Sequence, residues 1–234
     1  MNPSSVTESS GTALVERARH NMIEQQIRPW EVLDPVVLEL LSLVRREDYV
    51  PPVSRALAFV DFELPLVIDG IDTGEVMLAP RVEARMLQEL RIQSHETVLE
   101  VGSGSGYVSA LAAHQAQSVH GVELDPRLAA FGATNLARQG VLNAHVVQGD
   151  GAAGWAAHAP YDIIIVSGSV PVLPGPLLAQ LRLGGRLVAI VGTGPAMSAQ
   201  LVTRLGESDL DIVPLFETVT RPLHNVQAPS RFRF

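Results

Sequence analysis

The residues best placed to do chemistry lie in one run, Val98-Leu99-Glu100-Val101-Gly102-Ser103-Gly104-Ser105-Gly106-Tyr107. An apolar stretch of strand type enters three glycines at alternate positions and leaves toward a helix-like stretch. Glycine lets the backbone turn sharply and lets a ligand approach with no Cβ in the way. The carboxyl end of a strand is where open α/β sheets dock their ligands. On its own such a loop fits a plain strand-to-helix turn equally well. Two later acids change that balance. Glu123 ends the next strand-like run, 21 residues after Gly102, where a carboxylate can accept hydrogen bonds from two ribose hydroxyls. Asp150, in Gln148-Gly149-Asp150-Gly151, follows the third run and can hold an adenine amino group. Loop and acids together point to an adenosine ligand.

The loop also separates the candidate ligands. The dinucleotide fingerprint is Gly-x-Gly-x-x-Gly, but here the third glycine falls one place early and Tyr107 takes its position. Glu100 precedes the loop; a carboxylate there repels a pyrophosphate and suits the cationic amino-acid end of S-adenosylmethionine. The reading is S-adenosylmethionine, with S-adenosylhomocysteine as product. Other chemistries are absent from the sequence. There is no cysteine, which removes thiol nucleophiles and Cys-based zinc sites, and all 17 basic residues are arginine. Without lysine there is no Walker-A phosphate site and no Schiff base. The seven histidines show no metal-binding spacing, and no metal site is expected. No Gly-x-Ser-x-Gly elbow occurs.

The elements that must position this site alternate. Strand-like runs at Thr97–Val101, Ser118–Val122, Ala144–Val147, Asp162–Val166 and Arg186–Val191 are separated by helix-like stretches at Val108–His114, Leu128–Gln139 and Leu177–Leu183. That rhythm predicts βαβ units and a doubly wound, mostly parallel α/β sheet. Gln200–Leu205 and Ile212–Val219 predict a closing antiparallel hairpin. Before the sheet the pattern is helical and broken by proline. Leu14–Ile27 has mixed helical periodicity. Asp34-Pro35 starts a helix that runs to Val44 and is closed by Arg45–Asp48, and Pro80 starts another through Leu90. Between them Val60–Gly74 reads as short extended pieces and turns. The chain thus divides into a disordered leader (1–11), a helical extension capping the acceptor side (12–92) and a cofactor-binding domain (93–234).

At 234 residues, with a net charge of −8, the chain has an acidic balance that disfavours nucleic acid and anionic membrane as partners. Its amino terminus lacks signal-peptide character, and a cytoplasmic location is expected. Trp30 and Trp155 read as packing residues. The alternating Arg and Phe of Ser230–Phe234 read as an edge strand. Oligomeric state is not legible.

Several segments resemble the protein-L-isoaspartate O-methyltransferase family, within the class I methyltransferases with their seven-stranded, Rossmann-like sheet. They are Met22–Arg28, Asp34 with Val37-Leu38, Arg46-Glu47-Asp48-Tyr49-Val50-Pro51, the loop Val98–Tyr107, Ala159–Ser167 and the run from Pro174 through Leu183-Gly184-Gly185-Arg186-Leu187-Val188. The resemblance implies carboxyl O-methylation of protein or peptide acceptors at isoaspartyl residues. It implies cofactor contacts at Glu100, Gly102, Ser103, Gly104, Gly106, Glu123, Leu124, Asp150 and Gly151. It places Ser167, at the end of the fourth strand, beside the acceptor.

One segment departs from the family. Members carry Gln-Thr-Ile-Ser-x-Pro before the helix that opens at Pro80, with hydroxyls lining the acceptor pocket. Here the stretch is Glu75-Val76-Met77-Leu78-Ala79-Pro80, and both hydroxyl positions, Val76 and Leu78, are aliphatic. The acceptor carboxylate is already ionised at neutral pH, so alignment and desolvation carry catalysis, and each lost donor costs about 1–3 kcal/mol. Arg81 offers a substitute as a bidentate carboxylate partner. Two alternatives stay open: a methyltransferase for a more apolar small molecule, and a cofactor-binding homologue without turnover.

Overall fold

A computed structural model describes residues 3–226, with side chains from residue 11 onward. Ser230–Phe234, expected as an edge strand, lie outside the described residues. Helix α1 (Pro3–Met22) continues into a π-helical turn, Ile23–Ile27, and a 3₁₀ turn, Arg28–Trp30. It takes in most of the segment expected as a leader. From Gly11 to Arg17 its side chains are exposed, and burial starts at Ala18 and Arg19. Extending a helix outward from a packed turn is cheap compared with nucleating one. Helix α2 (Pro35–Leu43) starts as its sequence predicts, with the Asp34 carboxylate accepting from the Val36 N–H. Two further 3₁₀ turns follow, Arg46–Asp48 and Pro52–Leu57.

The extended pieces expected before Pro80 form a true hairpin. Strand β1 (Leu64–Ile68) pairs antiparallel with β2 (Ile71–Met77), with a bulge between Pro65 and Val67. Asp69 and Gly70 at its tip both take positive φ, 52° and 78°, as a two-residue hairpin turn requires. Helix α3 spans Pro80–Leu90.

Among the described residues the main sheet has seven strands, β3 (Thr97–Val101), β4 (Ser118–Glu123), β5 (Ala144–Gln148), β6 (Tyr161–Val170), β7 (Leu181–Thr193), β8 (Ala196–Arg204) and β9 (Leu210–Glu217), in the order β5-β4-β3-β6-β7-β8-β9. The first five run parallel, and β8 is antiparallel to both β7 and β9. This is the expected mostly parallel α/β sheet with its closing hairpin. The chain steps outward from β3 to β5, then crosses to β6 on the other side, and that reversal opens a crevice at the strands' carboxyl ends. Helices α4 (Tyr107–Ala113), α5 (Pro126–Arg138) and α6 (Gly175–Ala179) lie among these strands.

Two expectations need correction here. The helix expected over Leu177–Leu183 is only α6, because Leu181 pairs with Tyr161 and the chain has already entered β7. Strand β6 runs past Val166, so Ser167 and Ser169 belong to the strand, at an irregularity between Ile165 and Ser169.

Side chains alternate across the sheet. Val98, Ile163, Ile165, Val188 and Ile190 join α2 to α5 in one core, which continues without a break into the amino-terminal extension at Met22 and Ile27. Leu99, Val101, Ile164, Val166 and Leu187 face the other way, under α6, Trp155 and Leu223.

Candidate functional site

The glycine loop is built from left-handed backbone. Gly102, Gly104 and Gly106 take φ of 82°, 49° and 79°, a region that favours glycine. The Gly102 N–H donates to Val122 O at 2.9 Å, binding the loop to the end of β4. A Cβ on Gly106 would lie 3.0 Å from Gly132 O, and one on Gly132 would lie 2.9 Å from Gly104 O. Helix α5 therefore supports the loop backbone to backbone.

Above the carboxyl ends of β3, β4 and β5 lies a cavity of about 300 Å³. The structure brings six of the nine expected cofactor residues to its wall, Gly102, Gly104, Glu123, Leu124, Asp150 and Gly151, and with them Ser167 and Val76. The Glu123 carboxylate is buried, accepting from Gly104 N–H at 2.8 Å and Asp125 N–H at 3.0 Å. Burial raises its pKa, against the pull of those backbone donors. Asp150 is exposed; one oxygen accepts from Ala152 N–H at 2.9 Å and the other from Asn225 Nδ2 at 2.9 Å.

Glu100, Ser103 and Gly106 do not reach this cavity. Glu100 is 1% exposed beneath the loop. It accepts hydrogen bonds from Ser109 Oγ and, at 2.7 Å, from Ser167 Oγ. Burial, with smaller contributions from Glu83 and Glu123, pushes its carboxyl up to about 7, against the two serine hydrogen bonds. Its link to the cavity runs through Ser167. A recess of about 20 Å³ joins Glu100 and Ser103 with Val76 and Leu78, room for about one water. Leu78 is 5% exposed and packed in the core. Arg81 is not at the cavity either: it pairs with Asp61 at 3.0 Å and stacks over Trp30 at 4.1 Å. Both contacts would have to be given up before it could clamp a carboxylate.

Sequence reasoning missed several walls. Leu66 and Thr73 come from the β1–β2 hairpin, and Leu223 and His224 from the chain beyond β9; Glu75 on β2, which the sequence offered only as a contact for a basic acceptor, joins them. Only pairing in three dimensions brings these distant segments together. Asp125 also lines the cavity, and its signal was readable: Asp125-Pro126 is a helix start, and the Asp125 carboxylate accepts from Arg127 N–H at 2.8 Å. Four acids, Glu75, Glu123, Asp125 and Asp150, thus line the cavity, and among the described residues no arginine does.

A buried ion pair holds the Glu75–Pro80 segment to the loop. Arg46, 0% exposed, pairs with Glu83, donates from Nη2 to Leu78 O at 2.7 Å and lies 5.1 Å over the Tyr107 ring. Glu83 is pushed up to about 7 by burial in spite of Arg46. Arg46 sits in the turn that closes α2 and that also carries part of the family resemblance, though the sequence assigned this side chain no partner.

Comparisons with known proteins bear on the family and the fold. The family model for Protein-L-isoaspartate(D-aspartate) O-methyltransferase matches residues 17–225. Protein-L-isoaspartate O-methyltransferase 2 of Anaeromyxobacter sp. (strain Fw109-5) is 39% identical over 217 residues, covering 93% of this chain and 82% of that protein. A protein-L-isoaspartate O-methyltransferase of Methanoculleus marisnigri is 40% identical over 200 residues, 85% of this chain and 88% of its own length. Among solved structures, a protein-L-isoaspartate O-methyltransferase superposes with a TM-score of 0.75 at 22% identity, over 88% of this chain and 66% of that one. A Plasmodium falciparum structure described as the same type of enzyme, in complex with S-adenosyl-L-homocysteine, gives 0.72 at 19% identity, over 89% and 97%. At these identities the two structures speak for the fold, and the sequence relatives speak for the family. By the match over residues 17–225 and the relatives near 40% identity, the chain belongs to the protein-L-isoaspartate O-methyltransferase family.

Proposed function

We propose that the protein is an S-adenosylmethionine-dependent methyltransferase that esterifies the carboxylate of isoaspartyl residues in proteins and peptides. One observation carries the reading: the loop backbone at Gly102 and Gly104, Glu123 and Asp150 meet around one acid-lined cavity at the ends of β3, β4 and β5. A wall with four acids and, among the described residues, no arginine suits a cationic adenosine and opposes a pyrophosphate, so the residues present fit this cofactor. In this reading Glu123 takes the ribose hydroxyls and Asp150 the adenine amino group. Gly102 and Gly104 allow close approach, with Leu124 and Gly151 completing the wall. Ser103, Gly106 and Glu100 act from behind, by shaping the loop and orienting Ser167.

When bound, the cofactor supplies an electrophilic methyl: an acceptor oxygen bonds to that carbon as the carbon–sulfur bond breaks, and the electron pair stays on sulfur. The protein has no proton to move, because the attacking carboxylate is already ionised. Its task is to hold two groups in line and keep water out. Ser167, at the junction of cavity and recess, and Val76, on the hairpin side, bound the place where the acceptor meets the methyl. The extension over residues 12–92 caps that side, and residues 93–234 carry the cofactor.

The test is label transfer from methyl-labelled S-adenosylmethionine to an isoaspartyl peptide and to its aspartyl twin, scored as base-labile product. Transfer to the isoaspartyl peptide alone is the expected result. Binding without transfer to either peptide would refute the acceptor while leaving the cofactor assignment standing. The apolar Val76 wall then favours a small, less polar acceptor.

A further inference from the structure

Beyond β9 the chain turns back over the site. Pro222 bridges in parallel to Ser169, through Ser169 N–H to Arg221 O at 2.8 Å and Leu223 N–H to Ser169 O at 2.9 Å. Leu223 covers the loop so closely that a Cβ on Gly102 would lie 3.0 Å from its Cδ2. From this anchor the next two residues reach opposite walls of the cavity. His224 Nε2 is 2.8 Å from Glu75 Oε1 on β2, and Asn225 Nδ2 is 2.9 Å from Asp150 Oδ2 after β5. Arg221 adds a hydrogen bond to Gly74 O. Asn225 sits at φ 59°, a left-handed conformation that asparagine tolerates better than most residues.

The two halves of this segment differ in how they are held. Arg221 to Leu223 are fixed by backbone pairing and by an apolar contact. His224 and Asn225 are exposed, each tied by one side-chain contact of a kind worth little in water. These ties join the hairpin cap to the loop after β5 across the cavity, and the residue Asn225 grips is the acid assigned to the adenine.

We propose that Arg221–Asn225 is a latch across the mouth of the cofactor cavity, and that cofactor and product exchange through its opening. The inference rests on the adenosyl-cofactor reading above. Leu223 is the fixed end, and His224 and Asn225 are the releasable end.

Association and dissociation rates of tritiated S-adenosylhomocysteine, measured by rapid filtration on the full chain, test it in wild type, His224→Ala, Asn225→Ala and the double variant. Both replaced side chains are exposed, so folding should survive. A latch that must open for passage in either direction predicts that the two rates rise together, about tenfold in the double variant, with the dissociation constant moving less than about threefold. Unchanged rates overturn the latch and leave the cofactor reading intact. Faster dissociation with unchanged association also overturns it, because the segment is then only a contact. No binding in wild type overturns the latch and the cofactor reading together.

Discussion

Val76→Thr is the change that most directly tests whether the acceptor is a carboxylate. Val76 is half-buried on β2 and lines both the cavity and the recess that holds Glu100. Threonine keeps its branched shape and strand preference, and adds one hydroxyl where family members carry one. A hydrogen bond to a charged group contributes about 1.5–3 kcal/mol; in a cavity open to water the lower part of that range applies. At about 1.5–2 kcal/mol, kcat/KM for an isoaspartyl peptide should rise roughly 10- to 30-fold. The cost to the fold should stay under about 1 kcal/mol, since the position is not in the closed core. Leu78→Ser, which restores the other hydroxyl, should behave differently. Leu78 is 5% exposed within the main core, and truncating a buried leucine costs about 2–5 kcal/mol. Steady-state methyl transfer to the isoaspartyl peptide, with thermal unfolding and cofactor titration on the same preparations, separates the two effects. If Val76→Thr keeps its stability and cofactor affinity yet gains nothing on the isoaspartyl peptide, the reasoning from a missing donor is wrong.

Glu123→Gln should weaken S-adenosylmethionine binding about 10- to 100-fold, because the amide keeps one acceptor but turns a donor toward Asp125 N–H or the ribose. Calorimetry showing wild-type affinity would refute the ribose assignment. Gly132→Ala should cost at least as much affinity as a change in the loop itself, since its Cβ would lie 2.9 Å from Gly104 O; an unaltered titration would show that α5 can give way. His120 stacks on His158 at 3.8 Å, and its pKa is lowered by burial, then by His158 and His145. The unfolded chain therefore binds more protons, and the stability held above the ordinary histidine range is lost as pH falls through the lowered value. Unfolding midpoints between pH 7.5 and 5 should fall for wild type and flatten in His120→Leu; parallel curves would refute the assignment. Arg46→Leu leaves Glu83 without its partner in the interior, though that carboxyl can neutralise by taking a proton. A loss of about 3 kcal/mol in chemical denaturation is expected, and a midpoint like that of wild type would mean that the pair does not hold the cap.

Fold and cofactor side were legible because their signals are local. The loop Val98–Tyr107 carries its turn in its glycines, Glu123 stands one residue and Asp150 three residues past an apolar run, and Asp34-Pro35 announces α2. The misreadings came where tertiary pairing overrode local pattern. Leu181–Leu183 has helical composition, yet Leu181 is claimed by Tyr161 across the sheet. Glu100 was placed facing the ligand, but the pleat sends its side chain beneath the loop to Ser109 and Ser167. Arg81 stood next to the right proline, but Asp61 and Trp30, distant in sequence, had already taken it. Residues beyond β9 carried no motif for this place, which is set by the bridge at Ser169 and by contacts to Gly74, Glu75 and Asp150, all distant in sequence.

The acids around the cavity have a consequence for turnover. S-adenosylmethionine carries one more positive charge than the thioether left after transfer, while Glu75, Glu123, Asp125 and Asp150 stay where they are. A unit charge several ångströms from a partly screened carboxylate is worth about 1–3 kcal/mol at an effective dielectric near 20. If the cofactor binds as proposed, the reaction itself removes that attraction, and the wall that favours the substrate form loosens its hold on the spent form. Product inhibition should then deepen as salt is added, because screening weakens the sulfonium reactant more than a competitor that lacks the sulfonium charge.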